Sequence, residues 1–304
     1  MPSPDAPAAP PDGWHRDPFG THQERLFRQG RPTALVRDDG IGRYDEPPSV
    51  SVVLSPPARR RARTGRRAPG FVLVHSPLVG PTLWRWVGEV LRRWGFEVRI
   101  PSLAGFEHAG PRYWEPCIQS VVLACAGASE PLVLVGSGEA GALLPAMALA
   151  LLGRVRAICF VEAPLPPLAG YAETAPSAVR DRLTSPGRTD GPGPGRRVGP
   201  WDRRAAAALA SVPERRRLLE EELPVVPPDY LDQVVPVPAG WSDRVACSYL
   251  SFSDAHGAAA REAQRRRWPV RHVGGAQLHM VVRPEAVARQ LYWVAVRVNE
   301  ATSG

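Results

Sequence analysis

The stretch VLVGSGEAGALL, residues 133–144, carries the clearest candidate for chemistry in this sequence. Its apolar start predicts a buried strand, and a glycine-rich corner then leads into a helical pattern. Many enzymes hold a nucleophilic serine at such a strand-to-helix corner, where the backbone is strained and the hydroxyl is exposed. Ser137 lies in this corner, so its register decides whether the chain has a nucleophile.

Steric requirements fix the register of the corner. The residues two before and two after the nucleophile must be small, because larger side chains there would collide with the strand and the helix. With Ser137 as nucleophile these positions are Val135 and Glu139, which are too large. With position 138 they are Gly136 and Ala140, which fit. The nucleophile position therefore falls on Gly138, which accepts a positive φ without strain but has no reactive oxygen.

Alternating strand and helix patterns surround this corner. Continuous apolar runs predict strands buried on both faces, and apolar residues at helical spacing predict amphipathic helices, so the order predicts a parallel sheet covered by helices on both sides. A kink is predicted at Pro145 in the third helix. The predicted strands are GFVLVHS, FEVRIPSL, PLVLVG, VRAICFVEA, RVACSYLSFS and WPVRHVGG, and the predicted helices are TLWRWVGEVLRRWG, YWEPCIQSVVLACAGA, EAGALLPAMALALL, GAAAREAQRRR and PEAVARQLYWVAVRVN.

Residues 164–240 interrupt this alternation. They contain three or four short helical patterns separated by loops rich in proline and glycine, including TDGPGPGRRVGPW. An insertion between two strands of a regular sheet is typical of a lid. We expect it to lie over the carboxyl edge of the sheet.

Several stretches resemble the α/β-hydrolase fold, in an actinobacterial branch of that superfamily. They are VHSPLVGPTLWRWV, VPAGW, CSYLSFSDAH and RRWPVRHVGGAQLHMVVRPEAVA, in the expected order and spacing. The resemblance runs from residue 71 to about residue 297. It implies a mainly parallel sheet with helices on both faces and an inserted helical lid, and it implies descent from serine hydrolases. Fold alone does not fix activity.

The same resemblance places the other members of a catalytic triad. The family's catalytic histidine falls on Gln277, and His279 matches a second, non-catalytic histidine. Glutamine cannot transfer a proton near pH 7. Asp254, after the fifth predicted strand, and Glu162, after the fourth, are alternative acids. Replacement of both the serine and the histidine implies a degenerate triad, that is, a pseudoenzyme.

Oxyanion stabilisation would need backbone N–H groups from the loop after the first strand and from the residue after the nucleophile. The resemblance places these in residues 76–78 and at Glu139. Pro77 has no N–H, so Ser76 or Leu78 would donate. The Glu139 carboxylate would repel an oxyanion. It suits a helix N-terminus or a cationic group of a ligand.

The main domain is predicted to span residues 71–300. The chain before it divides into three segments. Residues 1–13 are rich in proline and alanine and are predicted to be disordered. Residues 14–48 resemble a short module near the N-terminus of many actinobacterial proteins, and residues 49–70 combine the strand pattern SVSVVLS with an arginine-rich linker. The apolar residues expected to form a small core in the module are Trp14, Phe19, Leu26, Phe27, Leu35, Val36 and Tyr44.

Composition excludes several classes of protein. The net charge of +8 is concentrated in RRRARTGRR, which lacks interleaved aromatic residues, so we expect a solvated linker and no specific nucleic-acid partner. The four cysteines lack metal-binding spacing, and no cofactor fingerprint is present, so neither a metal nor a cofactor is expected. The longest apolar stretch, residues 140–152, is too short to span a membrane. Without an apolar signal segment, a cytoplasmic location is expected.

Three functions fit these observations. The first is an α/β-hydrolase-fold protein that has lost serine hydrolysis and keeps a lidded pocket for a small apolar ligand, or acts as a scaffold. The second is a divergent hydrolase of a small ester or amide with relocated machinery drawn from Ser137, Glu139, His279 or a carboxylate-activated water. The third is an interaction protein that uses residues 14–67. The sequence does not identify a substrate, a protein partner or an oligomeric state.

Overall fold

The computed structural model describes residues 11–17, 22–28, 31–45, 68–108, 110, 112–128, 131–184 and 201–301. The chain divides into two compact units, Met1–Arg60 and Arg61–Gly304. Several predictions lie outside the described residues: the disorder of residues 1–10, the strand SVSVVLS, the arginine-rich linker and most of TDGPGPGRRVGPW.

The N-terminal unit contains a four-stranded antiparallel sheet with the order β1–β2–β3–β4. A two-residue turn joins β3 to β4 at Asp39 and Gly40, whose φ values are 51° and 79°. An Asp-Gly pair suits this turn because both central residues need a positive φ. The strands are β1 (Gly13–Arg16), β2 (Glu24–Arg28), β3 (Arg31–Asp38) and β4 (Ile41–Tyr44).

A buried arginine lies at the centre of this unit. The Arg25 side chain is fully buried, and its guanidinium donates to Asp17 Oδ1 at 2.8 Å and to Asp45 Oδ2 at 3.0 Å. Of the predicted apolar core, Phe27 and Val36 are buried, and Phe19 lies outside the described residues. The prediction is wrong for Leu35, which is 41% exposed. A module with so few apolar residues is organised by charge-assisted hydrogen bonds instead.

The larger unit contains a six-stranded sheet in which all neighbouring strands are parallel. Its order is β12–β11–β8–β7–β5–β6. The predicted parallel sheet is therefore confirmed, although β6 is much shorter than the pattern FEVRIPSL suggested. The strands are β5 (Gly70–Val74), β6 (Val98–Arg99), β7 (Leu132–Ser137), β8 (Val155–Val161), β11 (Ala246–Ser251) and β12 (Val270–His272).

Both faces of the sheet are buried at its central strands. Every residue of β5 and β7 is buried, and alternate side chains enter two separate apolar cores. Val72 and Val74 belong to one core, and Phe71 and Leu73 belong to the other. This arrangement explains why the strands appear in the sequence as continuous apolar runs without alternation.

Helices cover the sheet between its strands. The predicted kink at Pro145 is wrong, because α3 begins only one residue before it and no longer helix is interrupted there. A 3-10 helix, Gly138–Ala142, ends first, and Pro145 lies in the first turn of α3, where its missing N–H costs nothing. The α-helices are α1 (Thr82–Arg93), α2 (Trp114–Ala124), α3 (Leu144–Ala150), α4 (Ser177–Thr184), α5 (Arg203–Leu209), α6 (Pro213–Glu221), α7 (Gly257–Arg265), α8 (His279–Val282) and α9 (Pro284–Ala301).

The insertion between β8 and β11 carries α4, α5, α6 and a 3-10 helix, Pro228–Asp232. Its short helical patterns were predicted, but its two strands were not. β9 (Gly170–Glu173) and β10 (Val234–Val237) form an antiparallel pair. These strands are far apart in the chain, so no local pattern indicates that they pair.

Candidate functional site

The corner after β7 has a sharply changing backbone. Ser137 is extended, with φ −118° and ψ 149°. Gly138 follows with a φ of 56°, as predicted, and opens the 3-10 helix. Glycine adopts this left-handed conformation without the steric cost that a β carbon would add.

Close packing explains why the residue before Ser137 is small. A β carbon at Gly136 would lie 2.7 Å from a methyl of Leu144, which is shorter than packed side chains allow. A β carbon at Gly138 would lie 3.3 Å from Ser76 Cβ, a tight contact that a small shift relieves. Position 138, unlike position 136, therefore has room for a small side chain directed towards Ser76.

A small cavity lies beside this corner. The space that the centre of a water-sized molecule can occupy is about 20 Å³. That volume holds a water molecule, whereas pockets for drug-sized ligands measure roughly 300–1,000 Å³. In this conformation the cavity therefore accepts only a very small group. The residues that line it are Ser76, Val79, Leu83, Ser137, Gly138, Glu139, Glu162, Trp201, Gln277, Leu278 and Met280.

A chain of hydrogen bonds joins the loop after β5 to the corner. The Leu78 N–H donates to Ser76 Oγ at 3.0 Å, and Ser76 Oγ donates to Glu139 Oε2 at 2.5 Å. Leu78 was a candidate oxyanion donor, but its N–H turns back onto Ser76 and the residue does not line the cavity. Of the loop candidates, Ser76 alone reaches the cavity.

Glu162 is the carboxylate that the sheet positions at this cavity. It follows β8, is 1% exposed and has a φ of 45°. Its Oε1 accepts hydrogen bonds from the N–H groups of Phe252 and Ser253, the latter at 3.1 Å, and its Oε2 accepts from Ser253 Oγ at 2.8 Å. The chain leaving β11 therefore holds this carboxylate in place with three donors.

Asp254, the other candidate acid, does not reach the cavity. It is exposed and begins a 3-10 helix, Asp254–His256, directly after the segment that contacts Glu162. The contacts of Phe252 and Ser253 with Glu162 turn the chain outwards before Asp254. Asp254 was predicted to lie near the pocket, but it is not among the residues that line the cavity.

Gln277 and His279 have different surroundings. Gln277 lines the cavity together with Gly138, as predicted. His279 begins α8, packs against the Phe252 ring at 5.4 Å, and does not line the cavity. Burial lowers the pKa of His279 to about 4, so its imidazole is neutral near pH 7. His279 therefore does not replace the missing base at this cavity.

A second buried histidine, which the sequence analysis did not select, holds the loop after β5. His75 Nε2 accepts a hydrogen bond from the Leu103 N–H at 3.1 Å, so Nδ1 carries the proton and donates to the Ser76 carbonyl at 2.7 Å. Burial lowers the pKa of His75 to about 4. The sequence does indicate a role for His75, because it lies at the end of a predicted strand and directly precedes the predicted oxyanion loop.

The insertion contributes to this region at two points. Trp201 lines the cavity. Glu222 accepts hydrogen bonds from the Thr82 N–H at 2.8 Å and from Thr82 Oγ1 at 2.7 Å, and so caps the first turn of α1. A β carbon at Gly80 would lie 2.2 Å from Glu222 Oε2, which explains the glycine there.

Three further findings concern metal binding, membrane spans and cysteines. Within the described residues, no group of three or more His, Cys, Asp or Glu side chains could hold a metal ion. No helix in that part of the chain is long and apolar enough to cross a membrane. All four cysteines are buried and free, and burial raises the pKa of Cys117, Cys159 and Cys247 to about 12.

The sequence matches no protein-family model and no curated protein. Among solved structures, an extracellular α/β-hydrolase from a Paenibacillus species, described as sharing structural and functional homology with tobacco salicylic acid binding protein 2, is 15% identical with a TM-score of 0.55. The match covers 73% of this chain and 97% of that chain.

Two other solved structures agree with this result. Tomato methylketone synthase I in complex with 2-tridecanone is 15% identical with a TM-score of 0.54, and the match covers 77% of this chain and 100% of that chain. A polyneuridine aldehyde esterase mutant is 16% identical with a TM-score of 0.53, with 75% and 99% covered. The chain therefore has the predicted α/β-hydrolase fold.

Proposed function

We propose that this protein has lost serine hydrolysis and uses the cavity beside Gly138 for binding. The observation that carries the proposal is that a glycine with a φ of 56° occupies the strand-to-helix corner, where a nucleophile would stand. Gln277 lines the same cavity and supplies no base. Loss of a single triad member already costs several orders of magnitude in rate, and here two are replaced.

Ser137 is a poor substitute nucleophile. Its backbone is extended and belongs to β7. Its Oγ has no hydrogen-bond partner among the described residues, so no base activates it. A hydrolase with relocated machinery would need such a base, and His279 and Asp254 both lie off the cavity. The carboxylates of Glu139 and Glu162 line the cavity, but they accept hydrogen bonds from other residues and none from Ser137.

The proposal includes residues 164–240 as a lid. Trp201 on the cavity wall and the Glu222 cap on α1 support this role, because both tie the insertion to the site. To admit a ligand larger than a water molecule, the insertion would have to shift and change these contacts. The buried carboxylates of Glu139 and Glu162 on the cavity wall are the reason why we propose a small polar ligand here rather than the small apolar ligand expected from the sequence.

A fluorophosphonate probe tests the loss of hydrolysis directly, because it reacts with activated serines. The wild-type protein should remain unlabelled, as should a heat-denatured sample, while an active esterase assayed beside it is labelled. Labelling that maps to Ser137 would contradict the proposal and favour a divergent hydrolase.

A further inference from the structure

Two buried carboxylates face the cavity without a cationic side chain. Glu139 and Glu162 are 3% and 1% exposed, and both line the cavity. The described lining residues include no arginine or histidine, and the sequence has no lysine. Burying a carboxylate is costly unless hydrogen bonds or a positive charge compensate it. The cavity therefore favours a positive charge.

The two carboxylates are compensated unequally. Glu162 accepts three hydrogen bonds, from two backbone N–H groups and the Ser253 hydroxyl. Three donors stabilise a buried carboxylate well. Glu139 accepts one side-chain hydrogen bond, from Ser76. Glu139 is therefore the less well compensated of the two carboxylates.

A hydroxyl group completes the set of oxygen atoms. Ser137 is 3% exposed, and its Oγ has no hydrogen-bond partner within the described part of the chain. A buried hydroxyl without a partner destabilises the folded protein, so a ligand that contacts this oxygen recovers that cost. The side-chain amide of Gln277, on the same cavity, offers a further oxygen.

Size and charge then define the ligand. The cavity holds one group of about the size of a water molecule. The described residues provide no cluster of three metal-binding side chains, which disfavours a tightly bound divalent metal. We infer that this cavity binds one singly charged cation through oxygen atoms of Glu139, Ser137 and Gln277, either a primary ammonium group or an alkali ion. The inference rests on the proposed function, in which the cavity binds rather than catalyses.

Thermal unfolding of the full chain tests the inference. The probes are ammonium chloride, methylammonium chloride and potassium chloride, each compared with the same concentration of tetramethylammonium chloride, whose cation is too large for the cavity. A site-binding cation should raise the midpoint by about 3–5 °C at tenfold its dissociation constant. Glu139→Gln should abolish the rise, and Ser137→Ala should weaken binding several-fold. Glu115→Gln, on the exposed side of α2, should respond as the wild type does.

The probes also separate the two sources of the cation. A larger response to methylammonium than to potassium assigns the site to an amine head group, and the reverse assigns it to an alkali ion. Equal responses of wild type and Glu139→Gln to every probe would overturn the inference. An unlabelled wild type in the fluorophosphonate assay with no Glu139-dependent response would refute the cation site and leave the loss of hydrolysis intact.

Discussion

Ser76 and Glu139 are joined by a hydrogen bond of 2.5 Å across 63 residues of sequence. The bond links the loop after β5 to the corner after β7, the two places that supply oxyanion donors in the fold's enzymes. Here a buried carboxylate stands between them. A negative charge at this point would repel an oxyanion, so the same contact that organises the site opposes ester hydrolysis.

The first prediction concerns rescue of hydrolysis. Gly138→Ser with Gln277→His should restore measurable turnover of p-nitrophenyl acetate, because both positions line one cavity. Each single change should have little effect, since a serine without a base and a base without a serine are nearly inert. The serine costs roughly 1–3 kcal/mol of strain at a positive φ. Glu139→Gly should raise the rate of the double variant further. Absence of coupling in folded protein would show that the two sites do not cooperate.

The second prediction identifies the acid in that rescued enzyme. Adding Glu162→Gln to the double variant should remove the restored activity, because Glu162 is the candidate acid that lines the cavity. Asp254→Asn in the same background is the matched control and should retain the activity, because Asp254 is exposed and lies off the cavity. The opposite pattern of rates would assign the acid to Asp254.

The third prediction concerns pH. Burial lowers the pKa of His279 from 6.5 to about 4, so the unfolded chain binds a proton in this range that the folded protein does not. Stability should therefore fall as pH drops from about 6.5 to 4, by about 1.4 kcal/mol per pH unit from this residue. In His279→Met the slope, measured by urea unfolding at several pH values, should be shallower by that amount. His108→Asn, an exposed control, should keep the wild-type slope, and an unchanged slope in His279→Met would refute the prediction.

The fourth prediction concerns the cap on α1. Glu222→Ala removes both hydrogen bonds to Thr82. Loss of a side-chain cap costs about 1 kcal/mol, and loss of a negative charge near a helix N-terminus adds a few tenths. Urea unfolding should show this decrease, and hydrogen exchange should quicken in the first turn of α1. Glu220→Ala removes a nearby exposed carboxylate, and equal effects of the two variants would exclude a specific cap.

The fifth prediction concerns the N-terminal unit. Arg25→Ala leaves Asp17 without its buried cation, and breaking a buried ion pair costs about 3–5 kcal/mol. A unit of this size should lose most of its structure. Hydrogen exchange should show loss of protection in residues 13–45, while residues 70–301 keep theirs. Arg28→Ala, at an exposed position on the same strand, should preserve protection throughout.

The sequence predicted the parallel sheet and the register of its central corner for local reasons. A strand buried on both faces must be apolar throughout, and the corner admits only small residues at fixed spacing. Gly136 and Ala140 satisfy that spacing for position 138 and not for Ser137. Both inferences therefore depend on neighbouring residues alone.

The rest of the site depends on contacts between distant segments. Glu162 and Asp254 both follow strands, so the sequence leaves two candidate acids. Only the path of the chain after β11 shows that the N–H groups of Phe252 and Ser253 bind Glu162. The pairing of β9 with β10 is similarly distant. The burial of Arg25 could not be foreseen, because an arginine in a short polar module ordinarily faces solvent.

Gly138 and Glu162 both have a positive φ, but only at Glu162 does this conformation have a steric cost. Glycine adopts a positive φ freely, whereas for glutamate a φ of 45° costs roughly 1–3 kcal/mol. Such a strained conformation persists only where the surrounding structure fixes it. The strained backbone of Glu162 is stabilised by the three hydrogen bonds from Phe252 and Ser253, so we expect its carboxylate to be the least mobile group of the cavity wall.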